Sequence, residues 1–282
     1  MATILKGKPV ADQIKADMMA KIEEYKEKGI QAKVAIVRVG ARPDDLSYEN
    51  RVLKNCAAIG MESQVVELPL DITQEDFMAE LKKVNDDPKV HGILVFRPLP
   101  KQLDAAAISD ALDPRKDIDS MNPVNVSKLF FDDMTGIAPC TPEACIAVLK
   151  HYGYDLKGKN VVIVNRSMVL GRPLAMLFLH EHSTVTVCHS RTVDLPAVCR
   201  NADIVVTGIG RGKFFGPEYF SEKNVVVDVG INPDGDSICG DADFEKAEPI
   251  VSAITPVPGG IGTITSMILL QHVVKGMEMQ VK

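Results

Sequence analysis

The segment Asn160-Val-Val-Ile-Val-Asn165-Arg-Ser-Met-Val-Leu-Gly171-Arg-Pro173 holds the residue types from which a phosphate site is made. A β-branched run, a tight turn and a helix start place backbone N–H groups and a helix dipole where a pyrophosphate can rest. The usual GxGxxG spacing is absent: Asn165 stands in the first glycine's place and only Gly171 survives. An ordinary turn between strand and helix fits the same residues. About 20 residues on, an NAD site carries Asp or Glu for the ribose 2′-hydroxyl, whereas here the next strand ends Cys188-His-Ser190-Arg191-Thr192 without an acid. Ser190 and Arg191, with Arg166 on the first turn, suit a 2′-phosphate, because a guanidinium fork matches phosphate oxygens. That favours NADP, with NAD as the alternative. Gly208-Ile-Gly210 reads either as close backbone approach to a cofactor or as a plain turn.

Apolar spacing supplies the elements that must carry these groups. Val10, Ile14, Met18, Ile22 and Tyr25 recur at helical spacing, and Lys33 to Val39 is a β-branched run. A helix follows from about 44 to 59 and stops at Gly60; then come a strand at 64–68, a helix opened by Thr73 and a strand at 91–96. After a loop-rich stretch from 113 to 142 the rhythm restarts. A helix at 142–152 precedes strands at 160–164, 184–188, 204–207 and 225–229, and a last helix spans about 264–277. Such βαβ alternation implies parallel sheets covered by helices. The expected class is α/β with two domains: an N-terminal three-layer catalytic domain (1–138 plus 264–282) and a Rossmann-like NAD(P)-binding domain (139–263).

The 282 residues carry 32 basic and 38 acidic side chains, a formal charge of −6, which argues against a nucleic-acid partner. Apolar residues at 46% and charged residues at 25% match ordinary globular usage. No apolar run reaches the roughly 18–20 residues of a membrane span, and the first residues lack the pattern of a signal peptide. The six cysteines are scattered without a CxxC, and the histidines show no ligand spacing to them, so no metal site is expected. A cytoplasmic location follows as an expectation.

Four strings then fall together in order: Lys116-Asp-Ile-Asp119, Pro139-Cys-Thr-Pro142, Arg166-Ser-Met-Val-Leu-Gly-Arg-Pro173 and Thr255-Pro-Val-Pro-Gly-Gly-Ile-Gly262. Over essentially its whole length the chain resembles the methylenetetrahydrofolate dehydrogenase/cyclohydrolase family of one-carbon metabolism. The resemblance implies tetrahydrofolate derivatives as substrates, NADP as hydride acceptor, a homodimer, and folate held in a cleft between the domains. It implies oxidation of 5,10-methylene- to 5,10-methenyl-tetrahydrofolate, then hydrolysis to the 10-formyl form. By resemblance Tyr48 packs on the folate aminobenzoyl ring and Asp119 holds the pterin, while Pro258, Gly259 and Gly260 line the folate cleft. Asn165, Arg166, Ser167, Gly171, Ser190, Arg191 and Ile231 fall to the cofactor. Without the resemblance, Tyr48 reads as helix core and Asp119 as a turn cap.

The chain departs from the family pattern at two places, one on a helix and one on a strand. A catalytic lysine is expected four residues after the tyrosine, where both share a helix face; this chain has Val52. The glutamine and leucine expected before Pro98 are Phe96 and Arg97. Hydride loss from a carbon flanked by two nitrogens removes no proton, whereas ring opening needs acid–base help typically worth about 10²- to 10⁴-fold. The expectation is a dehydrogenase with weak or absent cyclohydrolase activity. The alternatives are a bifunctional enzyme using Arg51 or Arg97, and a non-catalytic folate or dinucleotide binder.

Overall fold

The computed structural model describes residues 1–281. In chain order the first half forms β1 (Thr3–Ile4), α1 (Gly7–Glu27), β2 (Lys33–Val39), α2 (Pro43–Ala57), β3 (Glu62–Leu68), α3 (Gln74–Asp86), β4 (Gly92–Val95), α4 (Ala105–Ala111) and α5 (Pro123–Phe130). The second half forms α6 (Cys140–His151), β5 (Asn160–Val164), α7 (Gly171–His180), β6 (Thr184–Cys188), α8 (Leu195–Asn201), β7 (Ile204–Thr207) and β8 (Val225–Asp228). It closes with β9 (Asn232–Asp234), β10 (Ser237–Cys239), α9 (Phe244–Ala247), β11 (Ala253–Ile254) and α10 (Ile261–Val281). The chain is α/β, in two compact units.

One unit comprises residues 13–138 and the chain from Ser266 onward, around a parallel three-stranded sheet of order β3-β2-β4. Six of the seven residues of β2 are buried, as a central parallel strand covered on both faces requires. One face packs Ala35, Val37 and Val39 against Phe77 and Leu81 of α3 and Ile108 of α4. Toward α10, Gly92 allows close approach: a Cβ there would lie 2.9 Å from Val273. Helix α3 starts where Thr73 caps it, its hydroxyl accepting from the Asp76 N–H at 3.1 Å.

The other unit comprises residues 1–12 and 139–265, around a parallel six-stranded sheet of order β1-β11-β8-β7-β5-β6. Its core joins Val162, Val164, Val205, Val226 and Ile254 with Phe215, Phe220, Ala247 and Val251. Here the division differs from the sequence expectation, which put the whole N-terminus with the first half. Thr3 and Ile4 pair with Ala253 and Ile254, and the Gly7 N–H donates to the Gly259 carbonyl at 2.7 Å. A two-residue strand is too short to show periodicity, so this pairing left no mark in the pattern. Lys282, the end of the segment expected to return to the first domain, lies outside the described residues.

A second difference concerns the stretch read as loop from 113 to 142. It holds α5, with Pro123 in the first turn and the Asn122 side chain accepting from the Val124 N–H at 2.8 Å. Asn before Pro is a helix start signal, and with only eight residues the helix shows little apolar period. No helix among the described residues is long and apolar enough to cross a membrane.

Candidate functional site

In the three-stranded unit the residues singled out from sequence gather around α2 and the end of β4. Helix α2 begins with Pro43 at its first turn and Asp44 and Asp45 beside its positive end. Its inward face carries Asp45, Glu49, Val52 and Cys56, so Val52 is buried, at 4% exposure, where a lysine was expected. Tyr48 is half-buried, and its ring centroid lies 5.3 Å from that of Phe96 in a tilted pair. The arginine one turn on, Arg51, places its guanidinium carbon 5.2 Å from the Tyr48 centroid, a cation–π distance. Lys54 points to solvent.

Arg97 is held by its neighbours. Its Nη2 donates to the Ser109 hydroxyl at 3.0 Å, and its own carbonyl accepts from Arg42 Nη2 at 3.2 Å. Arg42 in turn grips Asp45 with two bonds of 2.8 Å each. Arg97 borders a groove of about 520 Å³ that also touches Leu99, Lys101 and Leu103. A buried ion pair joins Arg38 on β2 to Glu49 on α2 at 2.8 Å, with Glu67 of β3 at 3.2 Å. Arg38, Arg42 and Glu49 are functional-site residues that the sequence pattern marks only faintly, by a charge inside a buried β-branched run and by Arg42 close to Asp44 and Asp45.

Asp119 owes its place to buried anchors on either side. Lys116 Nζ donates to the carbonyls of Asn85 and Asp87 at 2.6 and 2.7 Å, and Ile93 of β4 donates to the Lys116 carbonyl at 2.6 Å. Asp117 accepts from the Asn122 N–H at 2.7 Å. Ser120 then takes a left-handed φ of 54°, a conformation that costs energy for a residue with a side chain. Asp119 keeps a face to solvent, but protein packs closely around its carboxyl. That desolvation, with the nearby charge of Asp117, pushes it up to about 6, against smaller opposing effects from Arg97 and His272.

The six-stranded unit carries the expected dinucleotide residues at the carboxyl ends of its strands. Asn165 organises the β5–α7 turn: its Oδ1 accepts from the Ser167 N–H at 2.7 Å, the Ser167 hydroxyl at 2.8 Å and the Gly171 N–H at 3.1 Å. Its Nδ2 donates to the Gly208 carbonyl in the turn after β7. Gly171 admits no side chain, since a Cβ would lie 1.9 Å from the Asn165 carbonyl oxygen. An amide thus does what the missing first glycine would do, fixing the turn by bonding rather than by conformational freedom.

Arg166, Ser190 and Arg191 are exposed, Arg166 on this turn and the other two just past β6. The β6 turn is tied by His189 N–H to Thr192 Oγ at 2.9 Å and Arg191 N–H to His189 Nδ1 at 3.1 Å. The first acid beyond it, Asp194, caps α8 by accepting from the Ala197 N–H at 3.3 Å. Ile231 is exposed, with Gly262 near enough that a Cβ there would lie 3.7 Å from it. A turn closed by glycine, a helix N-terminus and two exposed guanidiniums fit a dinucleotide with a 2′-phosphate.

Pro258, Gly259 and Gly260 also lie in this unit, whereas Tyr48 and Asp119 lie in the other. Gly259 has φ of +96°, and a Cβ on Gly260 would sit 2.3 Å from the Pro256 carbonyl oxygen. Thr255 anchors the loop, accepting from the Asp228 N–H at 2.8 Å. No group of three metal-ligating side chains occurs among the described residues.

Sheet order, turn and strand ends define an α/β protein with a dinucleotide-type fold in one unit. Its sequence matches two domain profiles, the tetrahydrofolate dehydrogenase/cyclohydrolase catalytic domain over residues 5–119 and the NAD(P)-binding domain of the same name over 139–281. The chain belongs to the tetrahydrofolate dehydrogenase/cyclohydrolase family. It is 50% identical over 281 residues to the bifunctional protein FolD of Alkaliphilus oremlandii, covering 99% of each chain. The structure of the bifunctional enzyme FolD from Campylobacter jejuni superposes with a TM-score of 0.94 at 38% identity, covering 99% of each chain. The Trypanosoma brucei dehydrogenase-cyclohydrolase, solved with NADP cofactor and an inhibitor, gives 0.90 at 33% identity, covering 100% of this chain and 99% of that one.

Proposed function

We propose that this protein is an NADP-dependent 5,10-methylene-tetrahydrofolate dehydrogenase whose methenyl product is hydrolysed weakly or not at all on the enzyme. Family membership and the NADP-bound Trypanosoma brucei relative support the dehydrogenase and its cofactor. One observation supports weak hydrolysis: position 52, on the inward face of α2, is a buried valine, with Phe96 and the neighbouring Tyr48 in a tilted ring pair. Hydrolysis needs a group that gives and takes protons near neutral pH. Valine has none, and a guanidinium is not a proton-shuttling amine.

NADP, when bound, would supply the hydride acceptor. Asn165, Gly171, Arg166, Ser167, Ser190, Arg191 and Ile231 would hold it, with the backbone N–H groups at the start of α7 suited to its phosphates. Tyr48 supports the aminobenzoyl ring, Asp119 accepts hydrogen bonds from the pterin, and Pro258–Gly260 contribute to the folate site. Nitrogen lone pairs in the substrate stabilise the cation formed as hydride leaves, so the chain's task is positioning. A homodimer and a cytoplasmic setting belong to the same reading.

A second reading, full bifunctionality, draws support from Asp119: a carboxyl with a pKa of about 6 is able to move a proton at neutral pH. A two-wavelength assay separates the two. Methylene-tetrahydrofolate is supplied with NADP⁺ or NAD⁺, and reduced cofactor and methenyl product are followed against spontaneous hydrolysis. Reduced cofactor with methenyl decaying at the spontaneous rate supports the first reading; faster decay supports the second and overturns the first.

A further inference from the structure

Two carboxylates lie buried beneath the turns at the ends of β7 and β8. Asp241 is fully buried and accepts from the N–H groups of Ile209, Gly210 at 3.0 Å and Arg211 at 2.8 Å, and from Asn232 Nδ2 at 2.9 Å. Asp228, 3% exposed, accepts from the Thr207 hydroxyl and the Gly230 N–H at 3.0 Å each, from the Asp241 N–H at 3.1 Å and from the Ala242 N–H at 2.8 Å. The backbone closes tightly on both: a Cβ on Gly240 would lie 1.9 Å from Asp228 Oδ2, and one on Gly230 would lie 2.4 Å from Asp241 Cγ.

Every donor in these bonds is neutral. Among the described residues neither carboxylate is in an ion pair; the nearest basic side chains in sequence are engaged elsewhere. Lys213 pairs with Asp234 at 2.7 Å, and Arg211 lies over the Phe214 ring at 4.3 Å. Neutral hydrogen bonds satisfy a carboxylate's lone pairs without cancelling its charge, and a buried charge acts over a longer distance than an exposed one. Burial, with Asp241 adding, pushes Asp228 up to about 6, which leaves it mainly ionised at pH 8.

In a doubly wound sheet the dinucleotide crosses the carboxyl ends of the strands at the first βα turn. Here that turn follows β5, and Ser190 and Arg191 lie past β6 on one side. That order would put the adenosine end on the β6 side and the nicotinamide end on the β7 and β8 side, where the two carboxylates lie. The phosphates carry the same charge in both redox forms, while the oxidised ring is a cation and the reduced ring is neutral. We infer that Asp228 and Asp241 make this unit select the oxidised, positively charged nicotinamide over the reduced one, a role in redox-form selectivity beyond fixing the loops. The inference rests on the NADP reading above.

Titration of the whole protein at pH 8 with NADP⁺, NADPH and 2′,5′-ADP tests it. The wild type should bind NADP⁺ at least as tightly as NADPH. Asp241→Asn and Asp228→Asn should each weaken NADP⁺ relative to NADPH on the order of ten-fold, leaving 2′,5′-ADP affinity in place. Thr207→Val, which removes a donor and no charge, should move both nucleotides alike. An unchanged ratio in the Asp variants, with both nucleotides weakened together, would mean a loop-fixing role only and overturn the inference. If the Asp variants do not fold, the wild-type ratio decides: NADPH bound more than ten-fold tighter than NADP⁺ overturns it. Failure of every nucleotide to bind would overturn the cofactor reading and this inference with it.

Discussion

The dinucleotide turns of the six-stranded unit and the α2–β4 wall of the three-stranded unit solve positioning by different means. Asn165, Asp228 and Asp241 hold the turns by bonds to several backbone N–H groups each, and glycines there leave no room for a side chain. The α2–β4 wall is held mainly by side-chain contacts: Tyr48 on Phe96, Arg51 on Tyr48, Arg42 on Asp45, Arg97 on Ser109. A site built on backbone bonds tolerates few substitutions, because each leaves a buried group unpaired or a clash. A wall built from side-chain contacts can exchange chemistry one rotamer at a time. Val52, Phe96 and Arg97, the positions where the sequence reading expected other residues, all fall in that wall.

The largest test of this contrast is to rebuild the wall. Val52→Lys combined with Phe96→Gln should raise enzyme-dependent methenyl hydrolysis by about 10²-fold or more if the missing step is acid–base catalysis. Absorbance decay of methenyl-tetrahydrofolate reads it, and no gain would show that the wall is not what limits hydrolysis. The opposite manoeuvre strikes the turns: Gly171→Ala puts a methyl against the Asn165 carbonyl and should cost about 3 kcal/mol, seen as a lower Tm and weaker NADP binding. An alanine variant with unchanged Tm would remove the claim that this turn is rigid.

Smaller effects sharpen the picture on the folate side. Because Asp119 has a pKa of about 6, it is ionised at pH 8 and protonates as pH falls through 6. If Asp119 holds the pterin as proposed, its capacity to accept hydrogen bonds falls with protonation, so KM for folate should rise as pH drops, by up to about ten-fold per unit below 6, and Asp119→Asn should flatten the profile. Smallest of all, Arg51→Gln removes only a partly exposed cation–π contact of about 0.5–1 kcal/mol, so KM for folate should rise no more than about five-fold. A total loss of turnover in that variant would instead give Arg51 a direct part in the chemistry.

Much of the fold was legible because buried parallel strands are written as unbroken β-branched runs. Lys33–Val39, Asn160–Val164 and Ile204–Thr207 appear in the structure with the bounds read from sequence. The gaps have physical causes. Strands β1 and β11 are two residues each and depend on each other across the length of the chain. Helix α5 announced itself by Asn122 and Pro123 rather than by apolar spacing. In the site, the absence of an acid after β6 and the valine at 52 could be read directly, since each is a matter of residue type at a position. The work of Asn165, Asp228 and Asp241 could not, because it depends on which backbone N–H groups a carboxylate or amide meets after folding. Arg38, inside an apolar run, was a visible anomaly whose partners Glu49 and Glu67 come from two other elements.

The pairing of Thr3 and Ile4 with Ala253 and Ile254 bears on how the protein is made. A ribosome makes the edge strand β1 some 250 residues before β11, its neighbour among the described residues. Until then the first residues have nothing to pair with, and the three-stranded unit likewise waits for the segment from Ser266 onward. Neither unit is finished as it leaves the exit tunnel in the manner of a domain read off in one piece. Each unit is therefore completed only once a segment distant in sequence has been made.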